Sequence, residues 1–87
     1  MHTINKMLRK KEILNIIGLS RTSLQIRISE GLLPPPVSLG YRAVGFIERE
    51  YQIVLSAMAA GKSKQEIKSL VNELMIKRQQ LTNGELS

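Results

Sequence analysis

From Arg9 to Ile17 the chain reads RKKEILNII, with Ile13, Ile16 and Ile17 three and four positions apart and Glu12 and Asn15 off that line. Residues three and four apart share one face of a helix, so this stretch predicts a short amphipathic helix. Gly18 supplies its C-terminal stop, and Ser20 stands at the N-cap of the next helical run. Two helices joined through Gly18, Leu19 and Ser20 have helix-turn-helix spacing, although an ordinary helical hairpin uses the same kind of turn.

The second helix, RTSLQIRISEG, sorts its side chains when laid out at about 100° per residue. Leu24 and Ile28 define an inward face, with Arg21 and Arg27 on its flanks and Thr22, Gln25, Ile26 and Ser29 pointing outward. A small, neutral, hydrogen-bonding surface edged by arginines suits a helix entering the major groove, where short polar groups meet base edges and cations meet phosphates. Ile26 is apolar on that outward face; it either touches a thymine methyl or packs on a following loop.

Gly31 ends this helix, and the triplet Pro34, Pro35 and Pro36 forbids its continuation. Each proline fixes its own φ, and Pro34 pushes Leu33 towards extended geometry, so the chain leaves as a stiff strut. VSL and AVGF follow as short β-prone runs, with Gly40 in the connection between them. Such a hairpin is marginal alone and must rest on the helices as a wing.

IEREYQIVLSAMAAG is helical again, with Tyr51, Val54, Leu55 and Met58 at core spacing and Glu48 and Glu50 in the first turn, where carboxylates complement the helix dipole. Gly61 terminates it. SKQE at Ser63 to Glu66 then has capping-box form and opens a last helix to about Gln80, lined by Ile67, Leu70, Val71 and Leu74. The predicted organisation is a DNA-binding domain over 6–61, a C-terminal amphipathic helix over 62–81 that packs on the domain or mediates assembly, and a flexible tail over 82–87.

Charge adds a functional class. Thirteen Lys and Arg oppose seven acids, all Glu, for a net charge of +6, and residues 1–31 alone hold six bases against two acids. Nucleic acid, an anionic membrane surface or an acidic protein could each exploit that excess. With 87 residues, no cysteine and no apolar run near the roughly 20 residues that span a bilayer, the reading is one cytoplasmic, soluble domain.

Catalysis finds little here. His2 is the single histidine and there is no aspartate, so neither a Ser-His-Asp arrangement nor a zinc site assembles, and no cofactor or metal is expected. Gly61-Lys62-Ser63 resembles the end of a phosphate-binding loop, but Ser56 stands where the first glycine belongs and a helix precedes it. A helix stop beside a helix start explains the three residues. Met58 and Met75 read as packing residues, and two separated tyrosines make no stacking platform for single strands.

Gly18-Leu19-Ser20-Arg21, Leu24, Gly31, Pro34 with Pro36, Leu39-Gly40, Arg42 and Gly45-Phe46 form an ordered set. Over residues 8 to about 58 it resembles the AlpA family of small phage-type regulators, relatives of excisionases in the MerR-like winged-helix group. The resemblance implies a mainly α fold with a small β-hairpin wing, a winged helix-turn-helix followed by a C-terminal helix. It also implies a sequence-specific binder of double-stranded DNA encoded on a mobile element, a prophage or genomic island, acting in transcription regulation or as an excisionase (recombination directionality factor). Four positions depart from the family pattern: Gln25-Ile26 replace the usual Tyr-Arg, Phe46 the usual Trp, and Pro35 a basic residue. Target sequence is therefore not carried over from relatives.

On this reading Arg21, Thr22, Ser23, Gln25, Ile26 and Arg27 lie nearest the bases or their flanking phosphates. Tyr41 and Arg42 sit on the wing, and Arg9, Lys10 and Lys11 contact the backbone. Expected partners are double-stranded DNA and either a second copy, as a dimer or cooperative array on DNA, or an integrase; no membrane is expected. The competing reading is a protein-interaction module whose last helix offers its apolar stripe to such a partner.

Overall fold

The helical spacings and the proline triplet produce seven elements in the computed structural model, which describes residues 6–86, with side chains through Gln80. His2 lies outside the described residues. A strand β1 (Met7–Leu8) leads into helix α1 (Lys10–Ile17), and helix α2 (Arg21–Ser29) follows the turn. Strands β2 (Val37–Gly40) and β3 (Ala43–Ile47) make the wing, followed by helices α3 (Glu48–Ala59) and α4 (Lys64–Leu86). The fold is a winged helix-turn-helix, mainly α, with a three-stranded antiparallel sheet in the order β1-β3-β2.

The helix boundaries follow the capping residues. Glu12 accepts a hydrogen bond from the Arg9 N–H at 2.9 Å at the start of α1, and the Ser20 hydroxyl accepts from the Ser23 N–H at 3.1 Å at the start of α2. Gly31, at φ 79°, closes α2, with the Leu32 N–H bonded to the Arg27 carbonyl at 2.9 Å and the Gly31 N–H to Ile28 at 3.1 Å. A side chain at that left-handed position would be strained, whereas glycine takes it freely. The predicted capping box of α4 forms, with the Ser63 N–H donating to Glu66 at 2.9 Å and the Glu66 N–H to the Ser63 hydroxyl at 3.2 Å. Those bonds, the Ser63 N–H first, hold the Glu66 carboxyl below its usual range. Its contribution is thus present above the ordinary carboxylate pKa and lost as pH falls through the lowered one.

One core joins every layer. Leu8 from β1, Ile13 from α1, Leu24 from α2, Phe46 from β3, Tyr51 and Val54 from α3, and Ile67, Val71 and Leu74 from α4 are buried in a single cluster. Phe46 and Tyr51 meet edge to face, with ring centroids 5.8 Å apart at 86°, a favoured aromatic geometry. The apolar stripe of α4 therefore lies inside the domain. Leu70, Met58 and Met75 pack against the same cluster at its edge.

Four expectations change. Ile16 is 55% exposed, and Leu14 rather than Ile16 completes the inward face of α1 with Ile13 and Ile17. The helix is rotated so that its first apolar turn meets β3. Strand β1 is too short for any periodicity to announce it. Glu50, expected as a dipole partner in the first turn of α3, is buried and paired with Arg78. Helix α4 continues past Gln80, its expected end, to Leu86: extending a formed helix is easy, and Gly84 costs only about 1 kcal/mol against alanine.

Candidate nucleic-acid interface

Ser20 fixes where α2 begins, and Leu24 fixes which side faces in. Arg21, Thr22, Gln25, Ile26 and Arg27 are all exposed, as the sequence places them. Ser23 is half-buried, and its side chain accepts a hydrogen bond from the Ser20 hydroxyl at 3.0 Å, so it is engaged in the cap. Ser29 turns back and donates to the Ile26 carbonyl at 2.7 Å. Ile26 is 50% exposed and lines a shallow depression with Leu32, Ser23 and Arg27. Half its surface is therefore open to solvent.

Lys64, at the start of α4, lines that same depression. Sequence reasoning passed over it, because nothing local ties the first turn of the last helix to α2. The Gly61 stop and the Ser63 cap were legible, but the angle at which α4 returns was not.

A second site builds from the sheet. The pairing of Met7 with Ile47 and Leu8 with Phe46 lays β1 along β3, so that Arg9, Lys10 and Lys11 emerge beside the strand that starts just after Arg42. All four cations line one groove of about 590 Å³, floored by Leu39 and Gly45. A Cβ at Gly45 would stand 2.9 Å from Leu39 Cδ1 and 3.3 Å from Met7 Cβ, so the exposed Leu39 side chain would have to shift to admit it. The groove thus joins two sets of predicted residues that lie far apart in sequence. Arg21, Thr22 and Gln25 line neither depression and stand free on α2.

The tip of the wing is strained. Gly40 pairs with Ala43, with a bulge at Leu39, and Tyr41 and Arg42 form the two-residue turn. Arg42 sits at φ 59°, the only non-glycine residue with positive φ among the described residues. An L side chain there costs about 1–2 kcal/mol, and glycine or asparagine is the usual occupant. Its guanidinium lies 5.8 Å from the centre of the Tyr41 ring, and Tyr41 is 91% exposed. A costly cation stacked on an open ring at a wing tip has no role in the core.

The family model described as prophage CP4-57 regulatory protein (AlpA) matches residues 6–53. The chain belongs to the AlpA family. It is also 32% identical over 62 residues to uncharacterized protein ORF88 of Enterobacteria phage P4, covering 71% of this chain and 70% of that protein. No solved structure matches the chain. The AlpA match spans the helix-turn-helix, the wing and the first half of α3, and thus every candidate DNA-contacting residue named from the sequence. Lys64 and Arg78 lie beyond it. AlpA proteins are a phage regulatory family, and this chain is a regulator of that type. Among the described residues, no helix is long and apolar enough to cross a membrane, and no group of three or more His, Cys, Asp or Glu side chains could hold a metal ion.

Proposed function

We propose that this AlpA-family chain binds double-stranded DNA in a sequence-specific manner and regulates a mobile element. In this reading α2 enters the major groove and the wing grips the flanking backbone. The observation that carries it is the convergence of Arg9, Lys10, Lys11 and Arg42 on one groove beside a helix whose exposed face offers Thr22 and Gln25 between two arginines. Phosphate contacts fix position, while base-edge contacts select sequence. Arg21 and Arg27 flank the reading face, Ile26 is placed for a thymine methyl, and Ser23 serves the cap more than the bases. Lys64, beside Arg27, adds a phosphate contact.

The test is a titration of isotopically labelled protein with a short duplex. Backbone amides of Arg21 to Arg27, Tyr41, Arg42 and Lys64 are expected to shift, with the exposed Ile53 of α3 and Ile76 of α4, which line neither the groove nor the α2 depression, unmoved. Largest shifts at Ile53 and Ile76 would reject the interface.

Arg42→Gly separates binding from folding. Removing the side chain relieves the left-handed strain but gives the unfolded chain more freedom, so stability is expected within about 1 kcal/mol of wild type. DNA affinity should fall, and the slope of log affinity against log salt should drop by about 0.9 for one lost phosphate contact. Unchanged affinity and slope would remove the wing from the interface.

Transcription regulation and excision draw on the same contacts, because bending a site serves both. Genome-wide binding in the host cell distinguishes them: occupancy of promoters favours regulation, and occupancy of one end of an integrated element favours a recombination directionality factor. The alternative of an interaction module is less well supported, since Ile67, Val71 and Leu74 of α4 are buried in the domain's own core.

A further inference from the structure

Three consecutive prolines carry no N–H group, so the strut from Pro34 to Pro36 offers the rest of the protein only carbonyl acceptors. Any polar tether on it must come from donors elsewhere. Among the described residues two such donors are present. The Tyr51 hydroxyl of α3 donates to the Pro34 carbonyl at 2.7 Å in a buried contact, and Arg78 Nη2 of α4 donates to the Pro35 carbonyl at 3.2 Å. Arg78 is itself oriented by Glu50, with Nε donating to Oε2 at 3.2 Å and Nη2 paired with Oε1. The Glu50 carboxylate is nearly buried, and a planar guanidinium holds a carboxylate and a carbonyl in one fixed fork, a geometry that the point charge of an ammonium does not impose.

The strut connects the end of α2 to the first strand of the wing. Helix α4 borders the end of α2 and the strut: Val71 and Met75 line one depression with Ile28, Leu33 and Pro35, while Lys64 lines another with Arg27. From this arrangement we infer that Arg78, held by Glu50, is a positioning residue for DNA recognition. It clamps the proline strut and so fixes the wing's angle to α2. The inference rests on the DNA-binding reading, and it makes α4, outside the family-matched span of 6–53, part of the recognition unit.

The experiment compares wild type, Arg78→Gln and Arg78→Lys in the full chain by two measurements. One is amide hydrogen exchange across the wing hairpin in the free protein. The other is duplex affinity as a function of salt. Both variants are expected to fold, and wing amides should lose protection by about tenfold, the size expected for one charged hydrogen bond. Affinity should fall by about three- to tenfold through lost preorganisation, with the salt slope unchanged. Arg78→Lys keeps the charge yet should resemble Arg78→Gln. Full rescue by lysine, or a salt slope reduced by about one, would make Arg78 a phosphate contact and overturn the clamp. Unaltered wing exchange, or global unfolding of both variants, would overturn it too. If wild type binds no duplex at low salt, the DNA-binding reading fails, while the exchange measurement still decides whether Arg78 holds the wing.

Discussion

Phe46→Ala is expected to destabilise the domain by about 3–5 kcal/mol, the usual range for deleting a fully buried phenyl ring. Phe46 is 0% exposed on the central strand, pairs in register with Leu8 and meets Tyr51 edge to face. Three elements therefore lose contacts at once, and a rigid backbone on both sides prevents the hole from closing. Small domains have a total stability of about 5–15 kcal/mol, so this variant should lose a large fraction of it. Urea denaturation followed by circular dichroism measures it. A loss below about 1 kcal/mol would mean that Phe46 is not at the centre of the core. Because Phe46 sits where the family usually carries Trp, Phe46→Trp is the informative companion: overpacking at a 0% exposed site should also cost, by about 1–3 kcal/mol.

The largest functional effect is expected from removing the groove's cations together, in the variant Arg9→Ala, Lys10→Ala, Lys11→Ala, Arg42→Ala. All four side chains are exposed, and Arg9 contributes its N–H, not its side chain, to the bond with Glu12, so the fold should persist. Each phosphate contact contributes about 0.9 to the salt slope, so four lost contacts flatten it by about 3.6. Over a fourfold change in salt, those contacts account for about a hundredfold of affinity. Fluorescence anisotropy with a labelled duplex at several salt concentrations checks this. A folded variant with the wild-type slope would show that these cations are solvated and that the groove is not the backbone contact.

Both halves of the proposed interface could be named from the sequence, but their meeting in one groove could not. Gly18, Ser20 and Gly31 set the limits of α2 locally, and the prolines with Gly40 marked the wing, because capping and turn preferences act within a few residues. The groove depends on β1, whose two residues pair with a strand almost forty positions away. No local pattern encodes that pairing. Glu50 misled for the same reason: its place in the first turn of α3 is visible in sequence, while its partner Arg78 arrives from α4. Lys64 and Leu14 were missed because the return angle of α4 and the rotation of α1 are set by packing.

The prolines gain the most from the structure. Sequence reading makes them a stiff spacer after α2; the bonds from Tyr51 and Arg78 make them a spacer held from two helices. Burial raises the pKa of the Tyr51 hydroxyl well above its ordinary value, with the nearby Glu50 carboxylate adding to the effect. That tether is therefore fully present below the ordinary tyrosine pKa of about 10 and weakens only as pH rises above it. Wing geometry should not depend on this group near neutral pH.

The central claim is that α2 reads base edges. The most direct measurement is selection from a randomised duplex library at physiological salt, run in parallel with wild type and Gln25→Ala. Wild type is predicted to enrich one short motif, and Gln25→Ala to relax preference at a single position within it while keeping similar affinity for unselected DNA. A wild-type pool that stays random while the protein is folded, or an identical motif from both proteins, would contradict that claim.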